Sequence, residues 1–203
     1  MRRPLPAPER AEALFRRHHG ILRTKDALRL GVHRDTLYTL RDEGRIESLG
    51  RGVWYLVDAT LPGNLDLAVV ALRYPKAVIC LVSALEWHGL TTQLPRAVQI
   101  ALPATFQQPR TAYPPVRAFR FAAAAYRAGV ERHPIGGVNV RVYGAAKTIA
   151  DCFKFRSRVG TDVVLEALHD AWRRRLVRMD DLLRSARVCR VERVMRPYLE
   201  SLA

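Results

Sequence analysis

A short predicted helix near the start of the chain, over residues 34–43, carries side chains suited to contacting nucleic acid. Leu37 and Leu40 mark one apolar face of this helix, which we expect to be buried. Tyr38 and Thr39 point away from this face, and Arg34 lies on its flank, so we expect these three side chains to be exposed. A major groove admits one α-helix, and an arginine fork can donate to guanine O6 and N7 there. The spacing therefore indicates that this helix reads base pairs, with Arg34 and Tyr38 as the main contacts.

The elements around this helix are those of a winged helix-turn-helix. Apolar spacing predicts a first helix over residues 11–18, and Thr24 is a predicted N-cap for a second helix over residues 25–30. Residues 46–57 predict a two-stranded hairpin with Arg51 near its tip, flanked by glycines. Four further basic side chains are predicted to contact DNA, of which Lys25 suits a phosphate at a helix start and Arg51 a minor groove or the backbone: Lys25, Arg41, Arg45 and Arg51.

Two carboxylates on the same helix favour a different interpretation. Asp35 and Asp42 would repel phosphate, although Asp35 also suits the positive end of the helix dipole. Winged helices also serve as protein-docking modules, so a domain that binds an acidic protein and no DNA stays open as an alternative.

Composition supports a polyanionic partner. The 203 residues include 34 basic and 19 acidic side chains, for a net charge of +15, and 30 of the basic residues are arginine. Residues 61–203 hold +11 of this excess. Nucleic acid is the first candidate partner for such a charge, and an acidic protein or a membrane surface is the second. No apolar run is long enough to span a membrane, and the first residues do not resemble a secretory signal. Three widely spaced cysteines fit neither a disulfide framework nor a zinc site, so we expect a cytoplasmic protein without metal or cofactor.

The second part of the chain predicts a mixed domain. Helices are expected over residues 65–73 and 75–88, strands over 98–102, 116–121 and 138–142, and helices in most of the remainder. The predicted fold class is α+β, with an N-terminal winged helix-turn-helix domain followed by a larger mixed domain with a small sheet and a helical C-terminus. We place the DNA-binding domain at residues 9–58 and a second, α+β domain at residues 65–203.

Two groups of polar side chains in this second domain are candidate functional residues, although an ordinary structural role also explains both. Lys147 and Asp151 form an i, i+4 pair, and Thr148 suits a helix start. Arg173, Arg174 and Arg175 begin the densest basic region, which is either a solvated surface or a surface that binds DNA beside the winged helix or an acidic protein. A metal-dependent nuclease is a less favoured alternative, because no Glu-x-Lys or Asp-x-Lys pair accompanies Asp151. We therefore predict no catalytic residues and no enzyme activity.

Several segments resemble the AbiEi-like antitoxin and transcriptional regulator family. The N-terminal ones are residues 31–38 (GVHRDTLY), 43–46 (EGRI) and 50–56 (GRGVWYL). The others are residues 83–91 (SALEWHGLT), similar to a "SAL…hGLT" segment, and 142–156 (VYGAAKTIADCFKFR), similar to a "KTxxDxF" helix. Residues 160–168 continue the resemblance, which extends over residues 10–200.

This resemblance implies a repressor that acts as the antitoxin of a type IV (AbiE-like) toxin–antitoxin system. Such a protein binds double-stranded operator DNA, as inverted or direct repeats, and represses its own operon. Its carboxy-terminal part opposes a nucleotidyltransferase-type toxin, and direct contact between the two is not required. The resemblance also allows a stand-alone regulator without a toxin. The protein is expected as a monomer in solution or a dimer on DNA.

Overall fold

The computed structural model describes residues 5–60, 63–106 and 113–202. The chain divides into two compact units. Unit 1 comprises the described residues of 1–75, 112–114 and 134–139, and unit 2 comprises those of 76–111, 115–133 and 140–203. The fold is mixed α+β with two sheets and a helical C-terminus, which confirms the predicted fold class.

Unit 1 contains a helix-turn-helix-like region with a small sheet. Its helices are α1 (Ala7–Arg17), α2 (Thr24–Arg29), α3 (Arg34–Asp42) and α4 (Leu65–Arg73). Its strands are β1 (Ile21–Arg23), β2 (Ile46–Ser48) and β3 (Val53–Leu56), in the antiparallel order β1-β3-β2. The predicted hairpin is confirmed as β2 and β3, and β1 adds a strand that the sequence did not predict.

Two apolar clusters hold unit 1 together. One contains Phe15 of α1, Leu37 and Leu40 of α3, and Ile46 and Leu56 of the sheet. A second cluster joins Ile21, Val53 and Val69, with Leu65 and Leu72 packed against it. Because α4 supplies Val69, Leu65 and Leu72, it belongs to unit 1. The observed division therefore differs from the expected boundary, which assigned residues 65–73 to the second domain.

Unit 2 is built on a five-stranded mixed sheet. The strands are β4 (Val78–Ile79), β5 (Val98–Pro103), β6 (Val116–Phe121), β7 (Val130–Ile135) and β8 (Val138–Tyr143). Their order is β6-β5-β4-β8-β7, in which β4 runs antiparallel to β5 and parallel to β8. The short central strand thus joins two parts of the sheet that are distant in sequence.

Helices pack on this sheet and form the carboxy-terminal part. They are α5 (Leu81–Trp87), α6 (Ala123–Arg127), α7 (Ala145–Lys154), α8 (Arg156–Val159), α9 (Thr161–Arg173), α10 (Met179–Cys189) and α11 (Glu192–Glu200). Helix α7 is central, because it packs against α5, α9, α10 and α11. Its residues Ile149, Cys152 and Phe153 are fully buried in the main apolar core.

Three local predictions require correction. The single helix expected over residues 75–88 is strand β4 followed by α5, because Val78 and Ile79 pair with neighbouring strands. Strand β7 was not predicted, since Pro134 interrupts its pattern. Thr24 does not cap α2 with its side chain: the N-cap residue is Arg23, and the Thr24 hydroxyl bonds to Trp54 instead.

Candidate nucleic-acid interface

Helix α3 separates its side chains as the sequence predicts. Leu37 and Leu40 are 2% and 0% exposed, and α3 packs against α1. Tyr38 is 44% exposed although it is a large aromatic residue, and Arg34 is exposed without an ion pair among the described residues. A helix with one buried face and an exposed arginine and tyrosine on the other presents donors and an aromatic ring to solvent, as groove recognition requires.

The carboxy-terminal half of α3 carries a connected surface group. The Arg41 guanidinium carbon lies 4.9 Å from the centroid of the Tyr38 ring. Arg41 Nε donates to Asp42 Oδ1 at 2.9 Å, and Arg41 Nη2 lies 2.7 Å from the same oxygen. Thr39 is also exposed, and its hydroxyl donates to the Asp35 carbonyl oxygen at 2.9 Å. We expected the Asp42 carboxylate to repel DNA. In the structure it is the ion-pair partner of Arg41.

Two hydrogen bonds connect the start of α2 to the β2–β3 hairpin. The indole Nε1 of Trp54 donates to Thr24 Oγ1 at 2.8 Å, and the Thr24 backbone N–H donates to the Gly52 carbonyl oxygen at 3.0 Å. Lys25 follows Thr24 and is exposed, while Arg51 precedes Gly52 and is exposed. The two candidate phosphate contacts therefore belong to segments that are fixed to each other.

The tip of the hairpin depends on glycine. Gly50 has φ +104° and Gly52 has φ +74°, a region that glycine occupies without steric cost. A Cβ at Gly50 would also meet the guanidinium of Arg73, which is the movable end of a flexible side chain, so the positive φ is the main reason for glycine at this position. The turn leaves Arg51 as the exposed side chain between the two glycines.

Arg45 differs from the other predicted DNA contacts. It pairs with Glu12 of α1 and lies 3.1 Å from Glu43, and its side chain is 29% exposed. The hydrogen bond from Arg45 is the main cause that lowers the pKa of Glu12, and burial partly opposes it. Because two carboxylates occupy its guanidinium, Arg45 connects α1 to the segment before β2, and we leave it out of the proposed DNA contacts.

In unit 2, the predicted Lys147 group lies in the core. Lys147, Thr148 and Asp151 are 2%, 0% and 0% exposed. The Lys147 ammonium lies 2.5 Å from Asp151, and the Thr148 hydroxyl donates to the Tyr143 carbonyl oxygen at 3.0 Å. These residues hold α7 in place and are closed to a partner. The nuclease alternative loses its only candidate carboxylate, because Asp151 has no exposed surface.

The basic segment after α9 is exposed but partly neutralised. Arg173 and Arg174 pair with Asp170 at 2.6 and 2.8 Å, and Arg174 also donates to the Gly89 carbonyl oxygen at 2.7 Å. Arg175 and Arg178 are exposed without an ion pair in the described part of the chain. They line an open groove of about 580 Å³, whose remaining lining is Trp172, Arg173, Val177 and Met179.

The described residues offer neither a metal site nor a membrane-spanning helix. Across residues 5–60, 63–106 and 113–202, no three His, Cys, Asp or Glu side chains are grouped so that they could hold a metal ion. None of the helices within these ranges combines the length and apolar character needed to span a bilayer.

The N-terminal segment is similar to one known family. Residues 9–57 match the family described as "Transcriptional regulator, AbiEi antitoxin". This match covers the chain from α1 to the residue after β3, and it confirms the resemblance inferred from the sequence for that segment. The class of protein that this segment resembles is therefore a transcriptional regulator of the antitoxin type.

A solved structure supports the fold beyond this segment. The crystal structure of the RV2827C protein from Mycobacterium tuberculosis aligns with a TM-score of 0.60 over 91% of this chain and 72% of that chain, at 17% sequence identity. At this identity the likeness establishes the fold alone. No curated protein matches this chain significantly.

The sequence did not predict two contacts within the candidate interface. Asp42 is the partner of Arg41, and its position next to Arg41 in the sequence is the only signal for this. Trp54 connects the hairpin to Thr24, which no local pattern indicates because the two residues are far apart in sequence.

Proposed function

We propose that this protein is a DNA-binding transcriptional repressor whose unit 1 acts as a winged helix-turn-helix. The α3 surface enters the major groove with Arg34, Tyr38, Thr39 and Arg41 facing the bases. Lys25 and Arg51 contact phosphates on either side. The observation that carries this proposal is the exposed face of α3, with Tyr38 and Arg34 free of the core, in a segment that matches AbiEi-type regulators.

Electrophoretic mobility shift and footprinting on the DNA upstream of the protein's own gene test this proposal. We expect a footprint over paired repeats at low salt, lost in the double variant Arg34→Ala/Tyr38→Ala. Arg193→Ala is the matched control: Arg193 is exposed on α11, and its substitution removes the same charge as Arg34→Ala. An unprotected upstream region at low salt, or an intact footprint in the double variant, would contradict the proposal.

We further propose that the protein acts as the antitoxin of a type IV toxin–antitoxin system, in which unit 2 opposes a nucleotidyltransferase-type toxin. The groove lined by Arg175 and Arg178 supports contact between unit 2 and an acidic surface, because both cations are exposed and neither has an ion pair with a described residue. In this role the protein catalyses no reaction and acts in the cytoplasm.

Co-expression tests the antitoxin role separately from DNA binding. The neighbouring gene is expressed in a host with and without this protein, and growth is measured. We expect a nucleotidyltransferase gene beside this one, growth arrest from it alone, and rescue by the wild-type protein and by Arg34→Ala/Tyr38→Ala. Absence of such a gene, with a normal operator footprint, would instead support a stand-alone regulator.

A further inference from the structure

The arrangement of Arg41, Tyr38 and Asp42 leaves one edge of the Arg41 guanidinium available. Asp42 Oδ1 accepts from Arg41 Nε and lies 2.7 Å from Nη2, so the carboxylate occupies the Nε–Nη2 edge. The Arg41 guanidinium carbon also lies over the Tyr38 ring, 4.9 Å from its centroid. Arginine has five N–H donors in a planar fork, so the Nη1 donors and the outer Nη2 donor still point outward.

The outward edge matches one base. Two parallel N–H donors from an arginine pair with the O6 and N7 acceptors of guanine in the major groove, and adenine, which presents a donor at N6, does not accept this fork. Because the ring and the carboxylate restrict Arg41 from two sides, its side chain loses less freedom when it binds. An exposed arginine without such neighbours loses more side-chain freedom when it binds a base.

The pair contributes little as a stability element. The side chains of Arg41 and Asp42 are 48% and 66% exposed, and ion pairs at such positions have small effects on folding. A carboxylate on a surface that meets DNA also repels phosphates.

We propose that Arg41 recognises a guanine in the operator and that Asp42 is a positioning residue that sets the orientation of its fork. This rests on the proposed function of α3. Asp42 lowers the affinity for DNA in general and raises the preference for guanine at one position. The Tyr38 ring contacts the Arg41 guanidinium and also packs against the adjacent base.

Selection of binding sites from a randomised duplex library tests this proposal. The purified full-length protein is compared with Asp42→Asn, Asp42→Glu and Arg41→Lys. We expect wild type to enrich guanine at one position per half-site. Loss of a bidentate guanine contact changes base discrimination by about 10-fold, so this reduction is expected for Asp42→Asn and Arg41→Lys. Asp42→Glu should retain part of the preference, because it keeps the carboxylate.

Asp35→Asn provides the matched control. Asp35 is an exposed carboxylate on the same helix without an ion pair among the described residues. Both Asp→Asn variants should bind a non-specific duplex more tightly than wild type, since each removes one negative charge. Only Asp42→Asn should lose guanine preference. Circular dichroism melting verifies that both variants fold.

Three results separate the outcomes. Equal gains for all duplexes in Asp42→Asn, with guanine preference intact, would show that Asp42 is only a repulsive charge and would overturn the proposal. Specific binding by wild type without any guanine preference that depends on Arg41 would also overturn it and leave the repressor function standing. Failure to bind any duplex would refute the repressor function itself.

Discussion

The ammonium group of Lys147 lies 2.5 Å from the carboxylate of Asp151 inside the core of unit 2. The Cys189 thiol donates to the other oxygen of that carboxylate at 3.1 Å, and the ammonium lies 4.0 Å from the Tyr143 ring centroid. Burial raises the pKa of Asp151, and Lys147 opposes this rise. The i, i+4 spacing alone predicts a surface pair that contributes a few tenths of a kcal/mol to stability. In the buried pair, loss of either partner leaves the other as an uncompensated charge in the core.

Removal of one partner should therefore destabilise unit 2 strongly. Lys147→Met leaves Asp151 buried without its cation, and we expect the free energy of unfolding to fall by about 3–5 kcal/mol. The double variant Lys147→Met/Asp151→Leu should recover most of this loss, because no buried charge remains. Urea unfolding measures both. A loss below about 1 kcal/mol in the single variant would mean that the pair is solvated in solution.

Arg51 and Arg45 should respond in opposite ways to alanine substitution. Arg51→Ala removes one proposed phosphate contact, so the slope of log affinity against log salt should become shallower by about 0.9. Its unfolding midpoint should not change, because Arg51 is exposed at the hairpin tip. Arg45→Ala should lower the unfolding midpoint, since it leaves Glu12 without its main partner, and should keep the salt slope. Salt titrations of DNA binding and thermal melts compare the two. A changed salt slope in Arg45→Ala together with a lowered unfolding midpoint in Arg51→Ala would contradict the roles given to the two arginines.

Gly129 should be more sensitive to alanine than Gly89, although both have nearly the same backbone conformation. Their φ angles are +64° and +63°. A Cβ at Gly129 would lie 2.6 Å from Lys147 Cβ, whereas a Cβ at Gly89 would have its nearest neighbour, Arg174, at 3.9 Å. Gly89→Ala should cost about 1–2 kcal/mol from backbone strain, and Gly129→Ala clearly more, because Lys147 must move. Urea unfolding of the two variants checks the difference, and equal losses would refute the steric argument.

Unit 1 should lose stability in acid partly through Glu12. The folded-state pKa of Glu12 lies below its ordinary value of 4.5, mainly because Arg45 donates to it. A group with a lowered folded pKa contributes stability above its unfolded pKa and loses it as pH falls through the folded pKa. Glu12→Gln should therefore be less stable than wild type at pH 7, and the two should converge below pH 4.5.

Trp54 fluorescence can measure this in unit 1 alone. The chain has three tryptophans, so Trp87→Phe/Trp172→Phe leaves Trp54 as the reporter. Urea unfolding of this background, with and without Glu12→Gln, is followed from pH 7 to pH 3. A stability difference that does not depend on pH would mean that Glu12 acts through packing and not through its charge.

The sequence predicted best where one short segment contains the whole signal. The period of Leu37 and Leu40 defined the buried face of α3, because helical periodicity is visible within two turns. Strands β5 and β6 were predicted for the same reason, since their alternation is local. The candidate surface of α3 follows directly from this one periodic pattern.

Features that depend on distant partners were not predictable. Val78 and Ile79 form a strand only because β5 and β8 lie on either side of them, and the same residues fit the start of a helix. Likewise, Arg45 resembles other basic residues near α3 until Glu12 is brought against it by the packing of unit 1. Helix α4 follows a segment of turn-forming residues, yet Val69 packs with Ile21 and Val53. In each case a contact between residues distant in sequence determines the structure: the strand at residues 78–79, the ion pair of Arg45 and the inclusion of α4 in unit 1.

The burial of all three cysteines has a practical consequence for spectroscopy. Cys80, Cys152 and Cys189 are each 0% exposed, and burial raises their thiol pKa values, that of Cys189 to about 12. A thiolate is the form that reacts with maleimide dyes, so the native thiols are protected in the folded state. A single cysteine introduced at Arg51 would accept one fluorophore at the hairpin tip, and its emission would report the approach of a duplex without removal of any native residue from the core.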